Sequence, residues 1–501
     1  MNRTAWSRRH FIAGGIPAAV VMLAGNSWGS DTGRTDIKSQ PNIILIFSDS
    51  HRADVTGCSG NKIVQTPNLD NLARRGVVFE NCYCSSPLCG PSRNSFTAGK
   101  YSSRVNVWNN NYELPDPGGS LPTLPRIMNA AGYESYYYGH MDYPPTNSYG
   151  FNKLGKGGRQ KTREGQRRDP DDLKPKAGYS KVFDGSHEGD DSRILNGGRE
   201  ATTAALDFLK NRKNGGKPFF LLMGYAAPHY PFTAPAEYYA KYKGKIPAPE
   251  IPAGYLDSLP LNYKHLRIAF NNEDVPDDVA CKSRELYYAL TEWFDNEVGK
   301  VLTALNNTEF ADNTVVIYSS DHAENLGEHG LWLKNAMYDS ATRVPLIVSW
   351  PERWGGGQRR QGACSLLDVT RTIADIARAK VPADWNGDSL VPWLDDPKHP
   401  WKDLAVSEYY AHNIASGYAM IRTGNYKYVY HTPADSAHPA EQELYNLAKD
   451  PGELDNLAGN PEYKQQMDRM HAALAKEVGE DPEKIEQRCR ADYNKNDPVK
   501  K

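Results

Sequence analysis

Short, strongly apolar runs recur through the first three quarters of the chain, each closed by a cluster of polar residues. Asn42-Ile43-Ile44-Leu45-Ile46-Phe47-Ser48, Phe219 to Gly224, Thr314 to Ser319 and Pro345 to Trp350 have this form, with Glu134 to Tyr138 as a further strand. Continuous hydrophobicity fits strands covered on both faces. Between them the apolar spacing turns helical. Thr66 stands as cap, with Pro67 in first position, for a helix through Arg75; Leu121 to Ala131 forms another, stopped by Gly132. Over 283–305, Leu286, Leu290, Trp293, Phe294, Val298, Val301 and Leu305 share one side, and Leu366 to Ala377 follows. Strands alternating with helices predict an α/β fold with a mostly parallel, doubly wound sheet.

The pattern changes after about Pro392. Leu404 to Glu408, Ala419 to Arg422 and Tyr426 to Tyr430 read as short strands, with Thr423-Gly424-Asn425 as a turn, and 461–477 has helical spacing. This predicts a small C-terminal antiparallel sheet plus helix, and a division into 41–392 and an α+β subdomain over 393–501. Residues 150–200 are rich in Gly, Lys, Arg and Asp and lack periodicity, so they read as loop or irregular insert. At the N-terminus Ser7-Arg8-Arg9-His10-Phe11-Ile12 leads into the apolar run Phe11 to Ala24 and a small-residue zone. That is the form of a twin-arginine signal peptide over 1–30, with 31–40 as linker. The run is too short and Gly-rich for a stable membrane span, and Asn26 stands where a lipoprotein needs cysteine. The expectation is a periplasmic or secreted protein, handled by the twin-arginine translocon.

At 501 residues two domains are expected. The near balance of 59 basic and 61 acidic residues argues against nucleic acid as a partner. An anion would have to be held by local charges. Seven cysteines at irregular spacing do not suggest a disulfide framework.

The chemistry gathers around Ser85 to Lys100. Pro91 suits a first helical position and Gly99 an end, which sets Cys89 at the mouth of a helix, toward unpaired N–H groups. Arg93, four residues on, falls on the same face. On residues alone this is either an activated thiol beside a fixed cation or a buried cysteine before an ordinary helix. Asp49 ends the first strand and Asp321-His322 a later one, and ligands of open α/β sheets lie beyond such ends. Carboxylates suit a hard divalent cation, and His322 also admits manganese or zinc. His229 could protonate a leaving group, and Lys334 could offset charge beside Arg93. Unaided, His229 and His140 read more readily as structural than as catalytic, and Lys334 and His329 read also as a solvated face.

Cys89, Pro91, Ser92, Arg93, Thr97 and Gly99 resemble the signature of the formylglycine-dependent type I sulfatases, of the alkaline phosphatase superfamily. The resemblance extends from Asn42 to about Leu457, within it toward the arylsulfatase K and choline-sulfatase branches. It implies that a maturation enzyme converts Cys89 to 3-oxoalanine (formylglycine), whose hydrate supplies the nucleophile. It implies Asp49, Ser50, residue 89, Asp321 and His322 at the metal, calcium as the metal, Lys334 on the sulfate, and the Pro228-His229-x-Pro231 segment. Ser50 replaces the common second aspartate, and His140 and Asp142 alter the usual Gly-Lys-x-His. The activity implied is hydrolysis of a sulfate ester, in the arylsulfatase K branch of a uronate 2-sulfate in a glycosaminoglycan. Rival readings are a phosphonate monoester or phosphodiester hydrolase, favoured by His322, and a non-catalytic sulfoglycan-binding protein. Lys153, Lys156, Arg159, Lys161, Arg163, Arg167 and Arg168, opposed by Glu164, form a cationic patch that reads either as the rim of a sulfated-glycan site or as a solvated loop.

Overall fold

The computed structural model describes residues 40–155, 166–175, 183, 185–213 and 215–496. In chain order the strands are β1 (Asn42–Ser48), β2 (Val77–Tyr83), β3 (Glu134–Gly139), β4 (Asn152–Lys153), β5 (His187–Glu188), β6 (Phe219–Gly224), β7 (Thr233–Ala234), β8 (Thr314–Ser320), β9 (Arg343–Ser349) and β10 (Gln358–Ser365). Eight of them form one sheet, ordered β10-β2-β9-β8-β1-β6-β3-β4, while β5 pairs with β7. β1 lies parallel to β6 on one side and β8 on the other, with Ile43 opposite both Phe220 and Val315. These three strands are buried almost throughout, which is why their sequences are unbroken apolar runs. The sheet is mixed: β9 runs antiparallel to both β2 and β8. Because β9 lies between them, β2 and β8 point the same way.

The helices that bear on the site are α1 (Pro67–Arg74), α2 (Cys89–Ala98), α3 (Leu124–Ala130), α4 (Arg193–Asn211), α5 (Asp277–Asn306), α6 (Leu366–Ile376), α7 (Lys464–Val478) and α8 (Pro482–Asn496), besides the helices Ala236–Tyr242 and Leu261–Ala269 and shorter turns. All seven apolar residues picked out on α5 are buried against the main core. α4 corrects the expectation for 150–200, since its first eight residues fall inside that stretch. Its stripe of Ile194, Leu195, Ala201, Ala205 and Leu209 starts only at Ile194 and is interrupted by glycines, so polar composition masked it. The cap of α1 is a second correction. Thr66 makes no side-chain cap; the buried carboxylate of Asp295 on α5 accepts the N–H groups of Asn68 and Leu69 at 3.0 and 2.8 Å. α2 begins at Cys89, two residues earlier than the spacing suggested, and Pro91 still sits in the first turn, where its missing N–H costs nothing.

The C-terminal strands β11 (Leu404–Tyr409), β12 (Tyr418–Thr423), β13 (Tyr426–His431) and β14 (Glu441–Asn446) form an antiparallel sheet in sequence order. β14 is a fourth strand beyond the three that the sequence pattern predicts. One face of this sheet shares a core with the segment before α2, where Tyr83 and Leu88 pack with Tyr409, Met420, Val429 and Tyr445. The signal segment lies outside the described residues, as do Lys156, Arg159, Lys161, Arg163 and Glu164 of the cationic patch. Arg167 and Arg168 are not free members of it: Arg167 is tied to Glu486 at 2.8 Å and Arg168 to Asp172 at 3.0 Å. No helix among the described residues is long and apolar enough to cross a membrane.

Candidate active site

Adjacent parallel strands β8, β1, β6 and β3 end on one edge of the sheet, and each delivers a polar segment there. β1 ends in Asp49, β8 in Asp321-His322, β3 in Gly139-His140, and Ala227-Pro228-His229 follows β6. α2, which follows β2, brings residue 89 to the same edge. One ligand atom from each of Asp49, Cys89, Asp321 and His322 lies within 4.8 Å of the others, and all four residues are buried. The fold thus gathers four residues chosen from sequence segments up to 273 positions apart.

Each donor is oriented by a local contact. Ser50 adopts a positive φ of 66° and gives its N–H to Asp321 Oδ1 at 3.3 Å, while its hydroxyl donates to Asp49 Oδ1 at 3.0 Å. Ser50 therefore reaches the cluster through Asp49. Ser92 Oγ donates to the Asp321 carbonyl at 2.6 Å, tying α2 to the end of β8. His322 Nδ1 faces the Ala323 carbonyl at 2.9 Å; since that oxygen can only accept, Nδ1 carries the hydrogen. The lone pair on Nε2 then points at Cys89 Sγ, 3.2 Å away. Gly139, with φ 90°, lies so close to Gly224 that a Cβ there would collide with the Gly224 carbonyl. Glycine at that position lets the chain turn His140 toward Asp49.

Arg93 corrects the picture of a guanidinium presented to an incoming anion. It is fully buried, with Nε donating to Asp321 Oδ2 at 2.8 Å and Nη2 to Asp49 Oδ2 at 3.1 Å and the Ser48 carbonyl at 3.2 Å. Nη1 donates to the His140 carbonyl at 2.5 Å, and the guanidinium lies 5.1 Å from the Phe47 ring. Arg93 braces the two carboxylates from beneath. Cys89 is likewise no activated thiol: burial, then the negative Asp49, hold its pKa well above the ordinary value.

Of the two buried carboxylates, Asp321 is short of positive charge. Burial pushes Asp321 up to about 7, with Arg93 opposing and Asp49 adding to the rise. Burial also works on Asp49, but His229, His140, Arg93 and His322 together hold it below the usual range. Two oxygen donors, an imidazole lone pair and residue 89 around one point, with a proton retained for want of charge, fit a divalent cation.

Above this cluster opens a cavity of about 480 Å3, a size suited to a small-molecule ligand. Cys89, His140, Asp142, His229 and Lys334 line it, whereas Arg93 and the three other metal-type donors do not. Lys334 Nζ donates to His229 Nε2 at 2.8 Å, and His229 Nδ1 bonds the Tyr230 carbonyl. Burial and then the Lys334 charge push His229 down to about 3, so its Nε2 is unprotonated at neutral pH. For Lys334 burial opposes the charge, but residue 89 and Asp49 overcome it and raise its pKa. His140 Nε2 stands 3.2 Å from Asp49 Oδ2 and 3.6 Å from Asp142 Oδ1, and despite burial these carboxylates raise its pKa. His329 lies apart from this cavity, stacked on Tyr338 with ring centroids 3.6 Å apart. His412 was missed. It reaches the cavity from the loop after β11, held by Asn109 Oδ1 at 2.7 Å, and no local motif announces it.

A family model described as Sulfatase matches residues 41–379, and one described as N-sulphoglucosamine sulphohydrolase, C-terminal, matches 327–480. A choline-sulfatase of Rhizobium meliloti is 31% identical over 448 residues, covering 84% of this chain and 83% of its own. An arylsulfatase K of Gallus gallus is 29% identical, covering 86% and 82%. Among solved structures, one in complex with its substrate D-glucosamine-2-N,6-O-disulfate has a TM-score of 0.68 at 23% identity, covering 92% of this chain and all of its own.

Proposed function

The chain belongs to the sulfatase family, which makes it a sulfuric ester hydrolase, and from that premise we propose that it desulfates a saccharide by way of a modified residue 89 and a divalent cation. The observation that carries this reading is the buried Asp49–Cys89–Asp321–His322 cluster directly beneath a cavity lined by Lys334, His229 and His140. Asp49, Asp321 and His322 would hold the cation, calcium by family resemblance, with manganese or zinc admitted by the imidazole. When bound, it polarises a sulfuryl oxygen and orients the nucleophile. Oxidation of Cys89 to an aldehyde by a maturation enzyme, and hydration of that aldehyde, supply the attacking oxygen.

The chain's own residues have separable tasks. Arg93 holds Asp49 and Asp321 in place and limits their mutual repulsion. Lys334 and His140, both on the cavity side, face the sulfuryl oxygens as charge develops on them. The hydrogen between Lys334 Nζ and His229 Nε2 is the proton positioned for the departing alkoxide. It comes from Lys334, because the His229 tautomer has none at Nε2, and water re-protonates the amine afterwards. A uronate 2-sulfate is the substrate favoured by the resemblance to arylsulfatase K. The twin-arginine segment supports export of the folded protein to the periplasm or beyond.

Mass analysis of the peptide carrying residue 89, from protein made in its native host, together with turnover of aryl sulfates and aryl phosphonates, tests this. The expected result is an aldehyde at residue 89 and clearly higher sulfate turnover. An unmodified thiol, or faster phosphonate cleavage, overturns it.

A further inference from the structure

One wall of the cavity takes no part in the chemistry at residue 89. The edge strand β4 brings Lys153 to it, and the first turns of α4 bring Arg193, Asn196 and Glu200, which share a helix face. Among the described residues, neither the Lys153 nor the Arg193 side chain has a hydrogen-bond or ion-pair partner. Both are exposed. Arg193 is the first residue of α4, where the helix dipole disfavours a cation, and no acidic residue in that turn offsets it. A lysine on an edge strand discourages pairing with another sheet, but Arg193 has no such duty. Glu200 Oε2 accepts from Tyr138 Oη at 3.3 Å, so the wall also carries a carboxylate and a half-buried aromatic ring.

The cations nearer the nucleophile are committed to the reacting centre: Arg93 holds its two carboxylates, while His140, beside Asp49 and Asp142, and Lys334, beside His229, face the sulfate that reacts. A substrate carrying one sulfate would leave Lys153 and Arg193 idle within the same cavity. Resting on the reading of a sulfated saccharide, we propose that Lys153 and Arg193 form a subsite for a second anionic group on the sugar. That group is a carboxylate or a second sulfate, either of which a guanidinium or an ammonium binds. The substrate is then a saccharide with at least two negative charges, read from both ends of the cavity.

The test compares kcat/KM on 4-nitrophenyl sulfate, which bears one anion, with a uronate 2-sulfate disaccharide and glucosamine N,6-disulfate. The variants are Lys153→Ala, Arg193→Ala, the double change and Glu200→Gln. The expected result is a fall of about tenfold per cation in the ratio of dianionic to aryl substrate, shrinking at high salt. Glu200→Gln should raise that ratio, and which of the two saccharides responds identifies the second anion. Equal loss on all substrates, or an unchanged ratio in the double variant, overturns the subsite. Failure of the unaltered protein to cleave any sulfate ester instead overturns the reading on which the subsite rests.

Discussion

Replacing Arg93 by methionine removes a fully buried charge while keeping much of the side-chain volume. The guanidinium donates to four oxygen atoms, two of them on the carboxylates of Asp49 and Asp321. Breaking a buried pair by removing one partner leaves uncompensated charge and costs about 3–5 kcal/mol. Unfolding entropy of about 2.1 cal/mol/K per residue gives on the order of 1 kcal/mol/K for a chain of this size, so the melting temperature should fall by roughly 3–5 °C. The loss should depend on pH in a definite direction. Asp321 already holds its proton up to about 7 because burial outweighs the help of Arg93. Without Arg93 the pair keeps that proton to still higher pH, and the folded state binds more protons than the unfolded one. Stability then falls as pH rises, so the penalty is largest above pH 7 and shrinks as pH drops below it. Thermal unfolding of chelated protein at pH 5.5 and 8.5 measures this. An equal loss at both values, or none at pH 8.5, would refute the bracing role of Arg93.

Lys334→Met should lower kcat far more on alkyl sulfates than on 4-nitrophenyl sulfate, since a good leaving group needs little protonation; equal loss on both would remove Lys334 as proton source. Asp295→Ala strips the cap from α1 and should cost about 1–2 kcal/mol. Burial pushes the Asp295 carboxyl up to about 6, so the folded state gains a proton as pH falls through that value. The gap in melting temperature between the unaltered protein and Asp295→Ala should therefore widen from pH 7 to pH 4.5, and a constant gap would contradict the shift. Gly99→Ala forces a side chain into φ 66° and drives its Cβ into the Trp385 ring, so reduced stability in thermal melts is expected, well beyond an ordinary surface change.

The residues at strand ends were legible because apolar runs mark the strands and the sheet edge is fixed by topology. Asp49, Asp321, His322 and Cys89 needed only that rule and a helix start. What the sequence hides is partnership over distance. Asp295 caps a helix 227 positions upstream, a choice no local pattern encodes. Arg93 was placed on the right face but with the wrong partner, since the spacing does not say whether carboxylates or the cavity lie opposite. α4 escaped notice because glycine and charge diluted its apolar stripe. The reversed direction of β9 leaves no trace in hydrophobicity either, as a strand buried on both faces looks the same whichever way it runs.

The segment that carries residue 89 is bound to the last quarter of the chain. Glu408 gives its N–H to the Ser85 carbonyl at 3.0 Å, and the Glu408 carboxylate accepts from Ser102 and Ser103 on the far side of α2. Lys334 is flanked by Asn335, whose side chain reaches Tyr409 at 3.0 Å and whose carbonyl accepts from Tyr418. A nascent chain leaving the ribosome thus meets the permanent neighbours of its reactive position only near the end of synthesis. Assembly of the pocket is a late event in translation, and a chain cut short before β11 would hold the right residues without these ties to keep them in register.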